Sequence, residues 1–138
     1  MTPANDRAPA ATVSQVVVSA AIGVAATTAV ALVDPHRPGH YPGCPLLWAT
    51  GLYCPFCGGL RAVHDLTHLD LGAALDRNPL VVLGLPFVLL GWALWAQRAF
   101  TGRRIGSFPR WLGWSVLAVL LGYAVLRNLP GWTFLSPA

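Results

Sequence analysis

Three apolar runs dominate this sequence: Val13–Val33, Leu80–Ala96 and Trp111–Leu126, none of which contains an Asp, Arg or His. A helix needs about 20 predominantly apolar residues to cross the hydrocarbon core of a bilayer. The first run has that length; the second and third reach it by adding flanking residues. A chain of 138 residues that is 55% hydrophobic and 10% charged lies outside ordinary soluble usage. The expectation is an all-α fold in a single membrane domain, with about three transmembrane helices and short interfacial helices between them.

Local punctuation supports these helices. Asn78-Pro79 supplies an N-cap and a proline at the first helical position, and Ser107-Phe108-Pro109 does similar work before the third run. Pro86 inside the second helix removes a backbone bond and should bend it. The first run, with Arg7 before it and Ala29-Val30-Ala31 near its end, has features of a cleavable signal peptide. Its apolar stretch exceeds the roughly 7–15 residues of a signal core. Ser19, Gly23 and Thr27 also form a ridge of small residues suited to helix packing, so a retained helix is favoured.

Arginine placement sets the orientation. Arg98, Arg103, Arg104 and Arg110 connect the second and third runs without an acidic residue, which marks that loop as cytoplasmic. Trp92, Trp95, Trp111 and Trp114 flank it as an interfacial belt would. The expected order is a cytoplasmic tail 1–12, spans at 13–33, 79–98 and 109–129, an extracytoplasmic segment 34–78, a cytoplasmic arginine loop 99–108 and an outer tail 130–138. Arg127, near the outer end, is expected to snorkel to the interface. The lipid bilayer is the expected environment, and a larger membrane protein is an expected partner. Nucleic-acid binding is not expected, because the arginines are not clustered among aromatics.

The outer segment 34–78 holds every cysteine, every histidine and four of the five aspartates. Asp34 to Gly43 reads as an irregular turn, and Leu46–Tyr53 as an apolar element too short to cross. Gly58 or Gly59 to Thr67 has helical spacing, with Leu60, Val63, Leu66 and Thr67 on one face and Arg61, Asp65 and His68 elsewhere. Leu71–Arg77 is a second short helix. Both are expected to lie on the outer surface as interfacial helices.

The succession Cys44-Pro45, Thr50-Gly51, Cys54-Pro55-x-Cys57-Gly58, Arg61-Ala62, Ala74 and Asn78-Pro79 resembles a bacterial family of small membrane proteins, domain of unknown function 2752. The resemblance covers 44–79. It implies a helical membrane protein and brings no activity with it; the expected location is the bacterial inner membrane. The chain departs from the usual pattern at Gly59, where a Thr commonly precedes the arginine, and at Leu69, where Gly commonly precedes the acidic residue.

Three chemistries fit the thiols. An oxidising compartment favours a structural disulfide, Cys54–Cys57 or one of these with Cys44. A C-x-x-C pair near a helix N-terminus can instead act as a redox pair, with Cys54 attacking, Cys57 resolving and Cys44 as exchange partner. The absence of a βαβ pattern argues against a thioredoxin fold, and Gly58 stands where haem attachment needs histidine. The third possibility is zinc held by Cys44, Cys54 and Cys57, with a histidine as fourth ligand. His64, two helical turns beyond Cys57 and about 10 Å away, is poorly placed for that. His40, or His36, from the flexible turn fits better. His64 and His68 are expected to be surface residues at helical spacing. Arg61 can pair with Asp65 one turn later, or grip an anion or lipid phosphate. Asp34, Asp70 and Asp76 form no paired-carboxylate arrangement, and no Ser-His-Asp or phosphate-loop signature is present. The leading expectation is therefore a non-enzymatic scaffold or accessory subunit with a cysteine-bearing outer module. A thiol–disulfide oxidoreductase and a zinc site are the alternatives.

Overall fold

The computed structural model describes residues 12–37, 39–102, 109–131 and 135. Six helices follow one another: α1 (Val13–Leu32), α2 (Pro45–Thr50), α3 (Gly59–Thr67), α4 (Leu71–Arg77), α5 (Pro79–Thr101) and α6 (Arg110–Arg127). No strand occurs among the described residues.

Each helix starts where its sequence supplies a partner for the free backbone donors of the first turn. Thr12 caps α1 in a reciprocal box: its hydroxyl accepts from the Gln15 amide, and the Gln15 side chain accepts from the Thr12 amide. Asn78 caps α5 by accepting from the Val81 amide, with Pro79 at the first helical position as expected. Asp70 caps α4 through the Ala73 amide. Helix α6 begins after Pro109, while Ser107 and Phe108 lie outside the described residues. Helix α5 runs unbroken through Pro86.

The end of α3 is a Schellman closure. The Leu69 amide donates to the Leu66 carbonyl and the Asp70 amide to the Asp65 carbonyl, and Leu69 takes the left-handed conformation at φ 63°. That is the conformation glycine adopts at least cost.

The three long helices alternate in direction. Trp92 of α5 donates its indole N–H to Ser19 near the start of α1, whereas the end of α1 and the start of α5 both meet α3. The end of α6 meets the start of α5 through Tyr123, whose hydroxyl donates to Asn78 Oδ1 at 3.4 Å. All the short elements thus gather at one end of the long helices. Their core is small: Ala62 of α3, Ala74 of α4 and Val82 of α5 are buried, with Leu66 and Leu75 packed beside them. At Gly59 a Cβ would stand 3.3 Å from Val81 Cγ2, so the glycine allows α3 to approach α5 closely. The small-residue ridge of α1 is used at Ser19, but a Cβ at Gly23 would meet nothing within 4 Å.

Three expectations change. Among the described residues two helices, α1 and α5, are long and apolar enough to cross a membrane, not three. Helix α6 has 18 residues and carries an arginine at each end, Arg110 and Arg127, which lowers its mean hydropathy. Arg127 does not snorkel; it is 2% exposed, turned inward beneath the cysteine loop. Helix α3 buries the expected face only in part. Leu66 packs against the core as expected, but Ala62 and Asp65 are its buried residues and Leu60 is exposed, because α1, α4 and α5 all pack on it.

Candidate functional site

The cysteine loop is built from two turns. Cys44 is the N-cap residue of α2, and Pro45 occupies the first helical position. Gly51, at φ 73°, ends α2 and sends the chain back toward Cys54. The Cys57 amide then donates to the Cys54 carbonyl, closing the turn that Gly58, at φ 78°, hands on to α3. The result brings three sulfurs together across a sequence separation that no local rule fixes. Cys54 Sγ lies 3.3 Å from Cys44 Sγ and 3.2 Å from Cys57 Sγ, and all three lie within 4.8 Å of one another.

All three cysteines are free thiols, so the expected disulfide is not present. A disulfide needs its two sulfurs about 2.05 Å apart. Two sulfurs on one tetrahedral zinc, each about 2.3 Å from the metal, sit ~3.8 Å apart. The observed 3.2 and 3.3 Å separations fall between these values, too long for a disulfide and shorter than the edge of a zinc site, so the three sulfurs would have to spread by about 0.5 Å to take an ion. His40, expected as a fourth ligand, does not join this cluster; its Nδ1 lies 3.4 Å from the Arg37 carbonyl oxygen.

The thiols are electrostatically unequal. Amides at the start of α2, chiefly that of Leu47, with the neighbouring thiols, hold Cys44 down at about 7 although burial opposes this. Burial first, then the adjacent Cys54 and Cys44 thiols, push Cys57 up to about 12. The depressed thiol is thus the one outside the C-x-x-C pair.

Two side chains hold the loop from behind. Asn78 is fully buried, and its Nδ2 donates to the carbonyl oxygens of Pro55, at 2.9 Å, and Cys57, at 3.0 Å. Arg127 donates from Nη1 to the Cys54 and Pro55 carbonyls and from Nε to the Leu135 carbonyl. Its guanidinium also sits 5.3 Å from the Tyr123 ring centre and 5.9 Å from that of Tyr53. Asn128 clasps Tyr53 in both directions, accepting from its amide and donating to its carbonyl, each at 2.9 Å. A cleft of about 790 Å³ opens in front of the sulfurs, lined also by His36, Tyr41 and Arg61. Arg61 Nε donates to the Pro35 carbonyl at 3.4 Å.

A second cluster lies where the 34–37 turn meets α3. Asp34 Oδ1 is 2.8 Å from His36 Nδ1 and 3.9 Å from His64 Nε2. Asp34 is held below the ordinary carboxylate range, first by the His36 amide and then by its ring. His64 is not the surface residue expected: its ring is half-buried, with Nδ1 2.8 Å from the Val30 carbonyl oxygen. His68 is exposed, stacked 4.3 Å from His64. No local pattern marks Asp34 and His36 as acting with His64, because the two segments are brought together only by the end of α1.

Fold and site together define a small all-helical protein with two helices apolar enough to cross a membrane and a three-cysteine cluster gathered at one end. Residues 44–92 match the family model described as Protein of unknown function (DUF2752), the family that the Cys44 to Pro79 pattern resembles. The match takes in the cysteine loop, α2 to α4 and the first half of α5. No curated protein and no solved structure matches the chain.

Proposed function

We propose that this is a small integral membrane protein whose cysteine module, on the extracytoplasmic side of the inner membrane, binds a thiophilic metal ion, with zinc as the natural occupant. The convergence of the Cys44, Cys54 and Cys57 sulfurs as free thiols carries this reading. Thiolate ligands favour zinc over hard cations. Three thiolates around a divalent ion leave one negative charge. Arg127, buried directly behind the loop, has only carbonyls and aromatic rings as partners among the described residues. A buried cation without an anion is costly, and an anionic thiolate centre beside it offsets that cost. The open cleft leaves the fourth position to an external ligand, as in zinc sites that exchange a bound group.

The membrane reading rests on the long helices. Their apolar side chains face outward along most of their length, as with Val24, Phe87 and Leu89. Such a surface is far larger than the apolar patches of soluble monomers. Helix α6 accompanies them as a shorter, less apolar helix with an arginine at each end. A scaffold role for the outer module is compatible with metal binding, since a thiolate centre fixes the loop that a partner would contact.

Cobalt(II) titration of the reduced, detergent-purified chain tests the site. The expected result is a stoichiometric near-ultraviolet thiolate-to-cobalt band that zinc displaces and that Cys54→Ser removes. An unchanged spectrum in the near ultraviolet, or an intact mass showing a cysteine pair already oxidised in untreated protein, overturns it.

A further inference from the structure

The second cluster contains more hydrogen-bond acceptors than hydrogens to share. The Val30 carbonyl can only accept, so His64 Nδ1 carries the proton and Nε2 presents a lone pair toward Asp34 Oδ1, itself an acceptor, at 3.9 Å. If His36 donates from Nδ1 to Asp34 at 2.8 Å, its Nε2 lone pair faces Asp65 Oδ1 at 3.5 Å, again acceptor against acceptor. Asp65 is 8% exposed, and its Oδ2 is buried with no hydrogen-bond partner. Two carboxylates and two imidazoles are thus turned toward one another; Arg37 Nε, 3.7 Å from Asp34 Oδ2, offsets one carboxylate charge, which leaves these lone-pair contacts still short of a positive charge or a proton.

We infer that Asp34, His36 and His64 form a second cation site, ligated by nitrogen and oxygen and suited to a divalent first-row metal such as zinc. The three ligand atoms lie within 4.8 Å of one another. The 2.8 and 3.9 Å separations bracket the ~3.3 Å between two ligands of a tetrahedral ion bound at about 2.0–2.1 Å. One tautomer change resolves both acceptor-against-acceptor contacts. With the metal on His36 Nδ1, the ring proton moves to Nε2 and donates to Asp65 Oδ1. With the metal on His64 Nε2, Nδ1–H keeps its bond to Val30. Each ligating ring then gives its other N–H to a fixed acceptor, a carboxylate in one case and a backbone carbonyl in the other, the usual outer shell of histidine metal ligands. Two histidines and a carboxylate leave a fourth position open.

This site shares no residue with the thiolate centre, so the two stand or fall separately. The test is cobalt(II) binding to the full chain carrying Cys44→Ser, Cys54→Ser and Cys57→Ser. One equivalent should still bind, with visible ligand-field absorption but no thiolate band, and both His64→Ala and Asp34→Asn should lower its affinity at least tenfold. Should the triple-serine chain fail to fold, the same two substitutions in the cysteine-containing chain should remove one equivalent and leave the thiolate band intact. Cobalt binding unaffected by either substitution, or a triple-serine chain that folds and binds none, overturns the site and leaves protons as the missing positive charge.

Discussion

At the scale of single residues, Asn78 shows how far a local motif can be read. Its role as the N-cap of α5 follows from Asn-Pro before an apolar run, and the Val81 amide confirms it. Its second role, donating to the Pro55 and Cys57 carbonyls, depends on residues more than twenty positions earlier and has no local signature. Loss of a cap costs about 1 kcal/mol. Loss of donors to buried carbonyls adds about 1–3 kcal/mol. Asn78→Ala should therefore destabilise the detergent-solubilised protein by about 2–4 kcal/mol in chemical unfolding. Asn78→Asp separates the two roles, since it keeps the cap but sets a carboxylate against two carbonyl oxygens. It should cost at least as much as the alanine; a well-tolerated aspartate would reduce Asn78 to a cap. Leu69 gives the opposite sign. It is 92% exposed and holds a left-handed backbone that disfavours any side chain with a Cβ. Leu69→Gly should stabilise the same protein by about 1 kcal/mol.

At the scale of elements, helices α3 and α4 were legible to within a residue, because Gly58-Gly59, Asp70 and Asn78-Pro79 mark their ends chemically. Which face each buries was not legible. The spacing of Leu60, Val63 and Leu66 describes a helix on a flat interface, whereas α3 is enclosed by three neighbours and buries Asp65. The same limit applies to α6. An arginine after an apolar run reads as an interfacial anchor, yet Arg127 turns in to hold the cysteine loop, and only the position of that loop decides between the two. Arg127→Leu should lower zinc affinity at the cysteines about 10–100-fold, the range seen for outer-shell partners of metal ligands. Arg127→Lys keeps the charge but cannot span three carbonyls, and should fall between. Equal affinity in all three chains would separate Arg127 from the metal centre and leave it a purely structural clamp.

At the scale of the whole molecule, the alternating directions of α1, α5 and α6 place the cysteine module at one end of the long helices and the start of α1 at the other, with the end of α5. The sequence supplies the complementary asymmetry. Arg98 and Arg110 flank the connection from α5 to α6, and Arg103 and Arg104, outside the described residues, lie within it. Under the proposed orientation, with those arginines cytoplasmic, the sulfurs would lie on the far side of the membrane. What the sequence could not supply was the convergence there. Cys44 and Cys54 are separated by a whole helix, and His64 reaches Asp34 only because α1 ends beside α3. An oxidising compartment would drive three such adjacent thiols toward disulfides unless something occupied them, and the proposed metal ion would provide that protection. The orientation and the protection can be read in one labelling experiment. In intact cells a membrane-impermeant maleimide should label the chain only after a zinc chelator is added. Labelling that needs permeabilised cells would place the module inside, and labelling at full extent without chelator would show thiols unprotected by metal.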